Sequence, residues 1–287
     1  MIKKSFLTLL YFTTLTLSIA QDDLLSELST DQGPVYAIGT FKGTRLVNGH
    51  SVETKPGGAL EFIFSHRFGT LNQGSYELWG LDNSVVRLGL EYGLTDRLGI
   101  GVGRSSEEKI FDGYLKYKVL RQADSKSPVT ITAFGGMAYR SYKDFRELSS
   151  VDRISYVSQI LIARKFSPTV SLQIAPTLLH RNYVNTSIEY NDLFALGMGG
   201  RVKVTPSVAI TAEYYARLNE HTGNPYNDAI GIGVDIETGG HVFQLVLTNT
   251  SGMVERAFIP VTLNDFLEGD IHFGFNITRT FQLSRKE

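Results

Sequence analysis

The sequence predicts an all-β chain, folded as a single closed antiparallel transmembrane β-barrel of about 12 strands, with 10 and 14 as the flanking counts. Three observations predict it. Apolar residues recur at every second position from Ala59 onward, a period of two that no helix can use. The alternating runs mostly reach ten to twelve residues, the length of a tilted membrane-crossing strand rather than of an average soluble one. Short and long connections alternate between the runs, as periplasmic turns and extracellular loops do in outer-membrane barrels.

The first 20 residues read as an export signal: Lys3 and Lys4, an apolar stretch from Phe6 to Ile19, and Ser18-Ile19-Ala20 before Gln21. The apolar stretch is too short to span a bilayer. Cleavage is expected after Ala20, which leaves a mature chain of net charge -3. Residues 21–58 precede the barrel. Asp22 to Leu28 is expected to form a helical turn or two, and Val35 to Phe41 a short strand. Lys55-Pro56-Gly57-Gly58 then turns the chain into the wall. The segment is either a plug entering the lumen, floored by Gly197, Gly199, Gly231 and Gly233, or a periplasmic tail with one extra strand.

The barrel is expected over 59–283, with 284–287 as a tail. Its 12 runs are 59–68, 84–94, 97–104, 110–120, 129–140, 152–165, 170–181, 192–204, 207–218, 228–237, 241–250 and 270–283. Leu60, Phe62, Phe64 and Phe68 alternate with Glu61, Ile63, Ser65 and Arg67 in the first. Leu98, Ile100 and Val102 alternate with Gly99, Gly101 and Gly103 in the third. Tight turns are expected at 95–96 (Thr95-Asp96), 166–169, 205–206 and 238–240, with Pro168, Pro206 and Gly239-Gly240 setting the backbone angles. The longer connections are 69–83, 105–109, 141–151, 182–191, 219–227 and 251–269, all at one end. Pro176 lacks an N–H inside the seventh run, so a bulge is expected there.

Aromatics sort to the rims as interfacial girdles do. Phe68, Phe111, Tyr139, Tyr156, Phe194 and Phe273 fall on the apolar parity near outer strand ends, and Tyr92, Tyr117 and Phe281 near inner ends. The opposite parity gives the lumen-lining candidates Arg67, Arg87, Glu91, Lys116, Arg140, Arg201, Glu213, Arg217 and Asp235. With Lys118, Arg153, Arg181, Lys203, Glu61, Asp112 and Glu237 added, bases outnumber acids by 10 to 6. An open interior would then prefer anions weakly. Alternatively Arg87, Glu91, Arg201 and Glu213 pair into a network that fills the barrel, since 12 strands make a bore of intermediate width.

Composition excludes several chemistries. Lys+Arg number 28 against 29 Asp+Glu, so no basic field awaits nucleic acid. With no cysteine there is no thiolate metal site, disulfide or cysteine nucleophile. No carboxylate–histidine cluster has metal-ligand spacing, and no catalytic or cofactor-binding constellation emerges. Gly99-Ile100-Gly101-Val102-Gly103 opens no helix and is no phosphate loop. The sequence therefore reads as a narrow channel or a structural envelope component and not an enzyme. A rim lipid hydrolase using His180 or His66 is one alternative. A binding platform on loops 69–83 and 251–269 is the other, the second loop being unusually apolar with Met253, Val254, Ala257, Phe258, Ile259 and Val261.

Asn48-Gly49-His50-Ser51-Val52-Glu53, Ser65-His66-Arg67-Phe68-Gly69 and Gly80-Leu81-Asp82 resemble a family of Bacteroidota β-barrel proteins whose domain has no assigned function. Glu91-Tyr92-Gly93-Leu94-Thr95-Asp96-Arg97-Leu98, Gly103-Arg104-Ser105 and Lys116-Tyr117-Lys118-Val119-Leu120-Arg121-Gln122 continue the likeness, over roughly 45–283. The resemblance implies a barrel in the outer membrane of that group. Its implied partners are outer-membrane lipid and the barrel-assembly machinery; it brings no substrate, catalytic residue or named envelope partner. His272-Phe273-Gly274-Phe275-Asn276-Ile277 partly resembles an insertion signal, yet Gln282 to Glu287 follow Phe281 where such barrels commonly end at an aromatic.

Overall fold

A computed structural model describes residues 34–284 except 125 and 144–146. The export signal and the turn expected at Asp22 to Leu28 lie outside the described residues. Twelve antiparallel strands form one ring: β1 (Ala59–Thr70), β2 (Ser84–Gly93), β3 (Leu98–Ser105), β4 (Ile110–Leu120), β5 (Thr130–Arg140), β6 (Ile154–Lys165), β7 (Val170–Arg181), β8 (Asp192–Lys203), β9 (Val208–Arg217), β10 (Ala229–Thr238), β11 (His241–Thr248) and β12 (His272–Gln282). Each strand pairs with its sequence neighbours. The ring shuts where β1 meets β12, from Ala59 opposite Gln282 to Thr70 opposite His272. Closure leaves no edge, the condition for strands to cross lipid, where unpaired backbone groups are costly. No helix among the described residues is long and apolar enough to cross a membrane.

The period of two sets which side each residue faces. In β6, Val157, Gln159, Leu161 and Ala163 are buried inside, while Tyr156 and Ile160 point out with 46% of their surface exposed. Phe68, Phe111, Tyr139, Tyr156, Phe194 and Phe273 all take the outward parity at the long-loop end, and Tyr92, Tyr117 and Phe281 at the short-turn end. Phe68 stacks on Phe273 across the closing seam at 5.8 Å. Strand ends differ from the expected ones by at most two residues. Asn249, for instance, leaves β11 to donate from Nδ2 to the carbonyls of Asp228 and Asn264.

Several local expectations are corrected. Pro176 causes no bulge. Gln159 opposite Thr177 and Ile162 opposite Ile174 keep one register across the proline, and only the rungs between them are lost. The missing N–H points to β6 alone, because an antiparallel strand residue serves one neighbour; on the other side Pro176 still pairs with Leu196. The connection after β3 is short, a tight turn in which Glu108 and Lys109 take positive φ, whereas the one after β4 runs over 121–129. Val35 to Phe41 forms no strand. It makes one bridge, Tyr36 opposite Ala123 of the β4–β5 turn. Gly39 (φ 63°) then turns the chain inward and Phe41 is buried.

Loop 249–271 folds back into the mouth. Met253, Val254, Ala257, Phe258 and Ile259 are all buried, around a single helical turn at Glu255–Phe258. Its apolar content is thereby explained: these side chains pack inside the ring instead of facing solvent.

Arg87 of the wall is buried against Asp112, which accepts from both Nε and Nη2. Removing one partner of such a pair strands a buried charge at about 3–5 kcal/mol. Asp112→Ala is expected to lower the denaturant midpoint at which the compact, unboiled gel band disappears, by that order. An unchanged midpoint would show Arg87 to be solvated instead.

Candidate functional site: a hairpin seated in the lumen

Residues 40–54 enter the barrel from the short-turn end, reverse, and leave by the same end. Entry is marked by Lys42 beside Glu237 (3.1 Å), exit by Thr54 Oγ1 donating to the Asp96 carbonyl (3.0 Å). Within the segment, Ser51 N–H donates to the Thr44 carbonyl (2.9 Å) and Leu46 N–H to the Gly49 carbonyl (2.8 Å), with Arg45 opposite His50. It is a short β-hairpin with Val47-Asn48 at its tip. Gly58 (φ 77°) releases the chain into β1.

The tip rests on Glu213 of β9. The amides of Val47 and Gly49 donate to Oε2 at 3.0 and 3.1 Å, and that of Asn48 to Oε1 at 2.8 Å. Three successive N–H groups around one carboxylate form an anion-holding concavity, and charge makes each bond stronger than a neutral one. Other wall side chains hold the rest of the main chain. Gln173 accepts from Val52 N–H (2.9 Å) and donates to the His50 carbonyl (2.8 Å), while Thr132 donates to the Val52 carbonyl (2.8 Å). Gln244 donates to the Leu46 carbonyl (2.6 Å) and Asn276 to that of Val47 (3.1 Å). Lys116 Nζ donates to the carbonyls of Thr44 (2.7 Å) and Glu53 (3.2 Å).

Close approach requires glycine on both sides. A Cβ on Gly49 would stand 2.1 Å from the Tyr215 hydroxyl. Leu46 lies on Gly199 and Val47 on Gly231, where an added Cβ would fall 2.5 and 2.9 Å from their methyl groups. Gly197 makes room for Tyr215, and Gly233 for Thr211 and Gln244.

The inward loop meets the hairpin from the opposite end. Glu255 Oε1 lies 3.5 Å from His50 Nε2 and 3.9 Å from Arg45 Nη1, all three residues buried or nearly so. His50 sits between the rings of Tyr114 (4.5 Å) and Phe134 (4.3 Å). Burial, with Arg45 adding to it, holds the His50 imidazole well below its ordinary range. Burial likewise raises the Glu255 carboxyl, against the opposing pull of Arg45. The histidine is therefore neutral near pH 7, and Arg45 is the cation facing Glu255. Phe258 packs edge-on against Tyr215 at 5.0 Å. Ser251 Oγ donates to Glu107 (2.7 Å), and Arg256 pairs with Glu108, which also takes Arg140 (2.7 Å). A cavity of about 30 Å³ between hairpin and wall is large enough for a water or two.

Arg67, Arg87, Glu91, Lys116, Arg201, Glu213, Arg217 and Asp235 point inward and are buried; Arg140 is half-buried at the long-loop mouth. Arg87, Glu91, Arg201 and Glu213 do not pair with one another. Arg87 takes Asp112, Arg201 takes Glu237, and Glu91 accepts from the Tyr114 hydroxyl (3.0 Å) with Lys116 at 3.8 Å. Glu213 is left to the hairpin amides. Arg217 holds Asp228 (3.3 Å) and Glu220 (2.7 Å), Arg67 holds Asn48 (2.8 Å) and Asn276 (3.0 Å), and Asp235 accepts from Gln244 (2.6 Å). Most wall bases are thus matched by a neighbour, and the interior is filled rather than open.

His180 has Asp192 Oδ1 on Nδ1 (2.7 Å) and Asn182 Oδ1 on Nε2 (3.0 Å), so both nitrogens face acceptors and neither faces a serine. His66 lies on the outer wall among Phe64, Phe68 and Phe275. Among the described residues no cluster of three or more His, Asp or Glu could hold a metal ion. Charge alone does not point to Gln173, Gln244, Asn276 or Thr132. Their signal is an amide or hydroxyl on the inward parity of a strand, which matters once a polypeptide lies inside.

The geometry defines a membrane-bound β-barrel closed by its own hairpin and loop. The chain belongs to the family described as the membrane bound beta barrel domain (DUF5777), which matches residues 41–281 and so includes the hairpin as well as the ring. Among solved structures it is similar to the NanC porin (8% identity, 78% of this chain and 100% of that one, TM-score 0.48). The KdgM porin (8%, 78% and 99%, 0.48) and the outer membrane phospholipase A of Escherichia coli (12%, 77% and 89%, 0.44) are others. At such identity and overlap these likenesses carry no conclusion about what this chain does. No curated protein matches it in sequence.

Glu213→Ala leaves three buried amides without an acceptor, at about 1–3 kcal/mol each. The variant is expected to become sensitive to trypsin after Arg45 in the folded barrel, where the unaltered protein resists. Equal resistance would mean that Glu213 does not hold the tip.

Proposed function

We propose that this is an outer-membrane barrel of porin-like build, a narrow channel held shut from within rather than an open pore. The carrying observation is the Glu213 seat, which fixes the hairpin tip across the bore. The character of the seat supports an opening step. The wall behind the hairpin presents carboxylate, ammonium, amide and hydroxyl groups (Glu213, Lys116, Gln173, Gln244, Asn276, Thr132), all of which water can satisfy when the hairpin withdraws. Such a wall serves a seated hairpin and an emptied lumen alike. Entry and exit at one end let the hairpin withdraw toward that side without threading. Export, cleavage after Ala20 and a Bacteroidota envelope belong to the same reading, as does orientation with the short turns in the periplasm. The rim geometry of His180 supports no hydrolytic role.

Refolded mature protein in a planar bilayer is expected to give current near background. Gly49→Val, which drives a side chain into Tyr215 and alters no strand residue, is expected to give discrete openings. Steady conductance from the unaltered chain would contradict the reading, as would silence from a Gly49→Val barrel whose Arg45 has become accessible to trypsin.

A further inference from the structure

The hairpin is held mainly by its backbone. Six wall residues (Glu213, Gln173, Gln244, Asn276, Thr132 and Lys116) bond its amides and carbonyls, from Thr44 to Glu53. Bonds that depend on hairpin side chains are fewer, chiefly Asn48 with Arg67, Thr44 with Glu61 and Glu53 with Lys118. A main-chain amide or carbonyl is the same whatever residue bears it, so this wall selects for polypeptide and only loosely for sequence. The steric demands are local: no Cβ opposite Tyr215, and small wall residues under positions 46 and 47. The seat also carries both signs, Glu213 and Glu61 against Lys116 and Arg67, which suits a chain of alternating donors and acceptors better than an anion.

We propose that the lumen wall is a binding site for polypeptide main chain, and that a peptide segment from another molecule takes the hairpin's place when the hairpin is withdrawn. The inference rests on the closed-channel reading, because the tethered hairpin excludes a rival as long as it is seated. Its covalent link gives it an effective concentration on the order of millimolar.

The test uses the full mature chain with Gly49→Val, and a fluorescent synthetic peptide spanning Thr40 to Pro56 in the natural sequence. Saturable binding by anisotropy is expected, together with block of the variant's current. Methylating the peptide nitrogens of Val47, Asn48 and Gly49 removes the three donors to Glu213 and keeps every side chain; it is expected to weaken binding by at least about tenfold. Replacing Asn48 by alanine in the peptide leaves those donors in place and removes only the bond to Arg67, so it is expected to weaken binding less than the methylation does. Should Gly49→Val keep its hairpin seated by the trypsin criterion, Val47→Pro/Gly49→Val replaces it, removing a donor as well. The proposal is overturned if the methylated peptide binds as tightly as the natural one, or if a conducting variant binds no peptide. It is also overturned if a neutral oligosaccharide such as maltohexaose displaces the peptide at equal concentration. A conducting variant without peptide binding leaves the closed-channel reading intact. Steady current through the unaltered chain defeats that reading while the peptide arm still reports on the wall.

Discussion

A carboxylate inside a barrel wall has to be given hydrogen bonds, and Glu213 takes its bonds from three consecutive backbone amides of a segment that is not part of the wall. Much of the interior follows from this. To bring Val47, Asn48 and Gly49 within reach, the hairpin must cross most of the lumen, so the strands beneath it need glycine at 199 and 231, and Tyr215 needs glycine at 49. The hairpin's other polar groups, carried so far from water, need partners of their own, and amides and hydroxyls on the neighbouring strands supply them. Had Glu213 found an arginine, as Asp112 finds Arg87, the hairpin tip would lose its three-amide seat.

The hairpin and the loop after β11 form one closure. Glu255 is carried on the loop, but the cation and the imidazole nearest it, Arg45 and His50, are carried on the hairpin. Withdrawing the hairpin leaves a buried carboxylate without its compensating charge, an arrangement that favours opening of the loop as well. The loop's apolar residues pack against Tyr215 and the inner wall.

The ring was legible in the sequence because its cause is local: a strand in a closed sheet between lipid and lumen must alternate, and it did so over nearly every run. Parity also separates the outward Phe68 and Phe273 from the inward Arg67 and Glu213. Partnerships were not legible. Arg87 and Glu91 stand four residues apart on one strand and share a parity, yet the acid that reaches Arg87 is Asp112, two strands away. Partner choice depends on register and side-chain reach, which alternation leaves free. Pro176 misleads for a related reason, since the sequence cannot tell which neighbour its missing N–H would have served. The apolar residues of 253–259 permitted either an inward or an outward fold, and the inward one packs them beside a segment two hundred residues earlier, with Arg45 facing Glu255.

The central claim is that the hairpin tip lies against the inner face of β9 and β10. Its most direct test uses the absence of cysteine from the chain, which makes any disulfide assignable. A Cβ built on Gly231 lies 3.2 Å from the Val47 Cβ, close to the separation of about 3.5–4.5 Å that disulfides span. Val47→Cys/Gly231→Cys is predicted to form an intramolecular disulfide in nearly all folded molecules under mild oxidation, seen as a gel shift reversed by reductant. If both thiols instead remain open to alkylation in the folded barrel, the tip is not seated there and the account of a self-closed lumen is wrong.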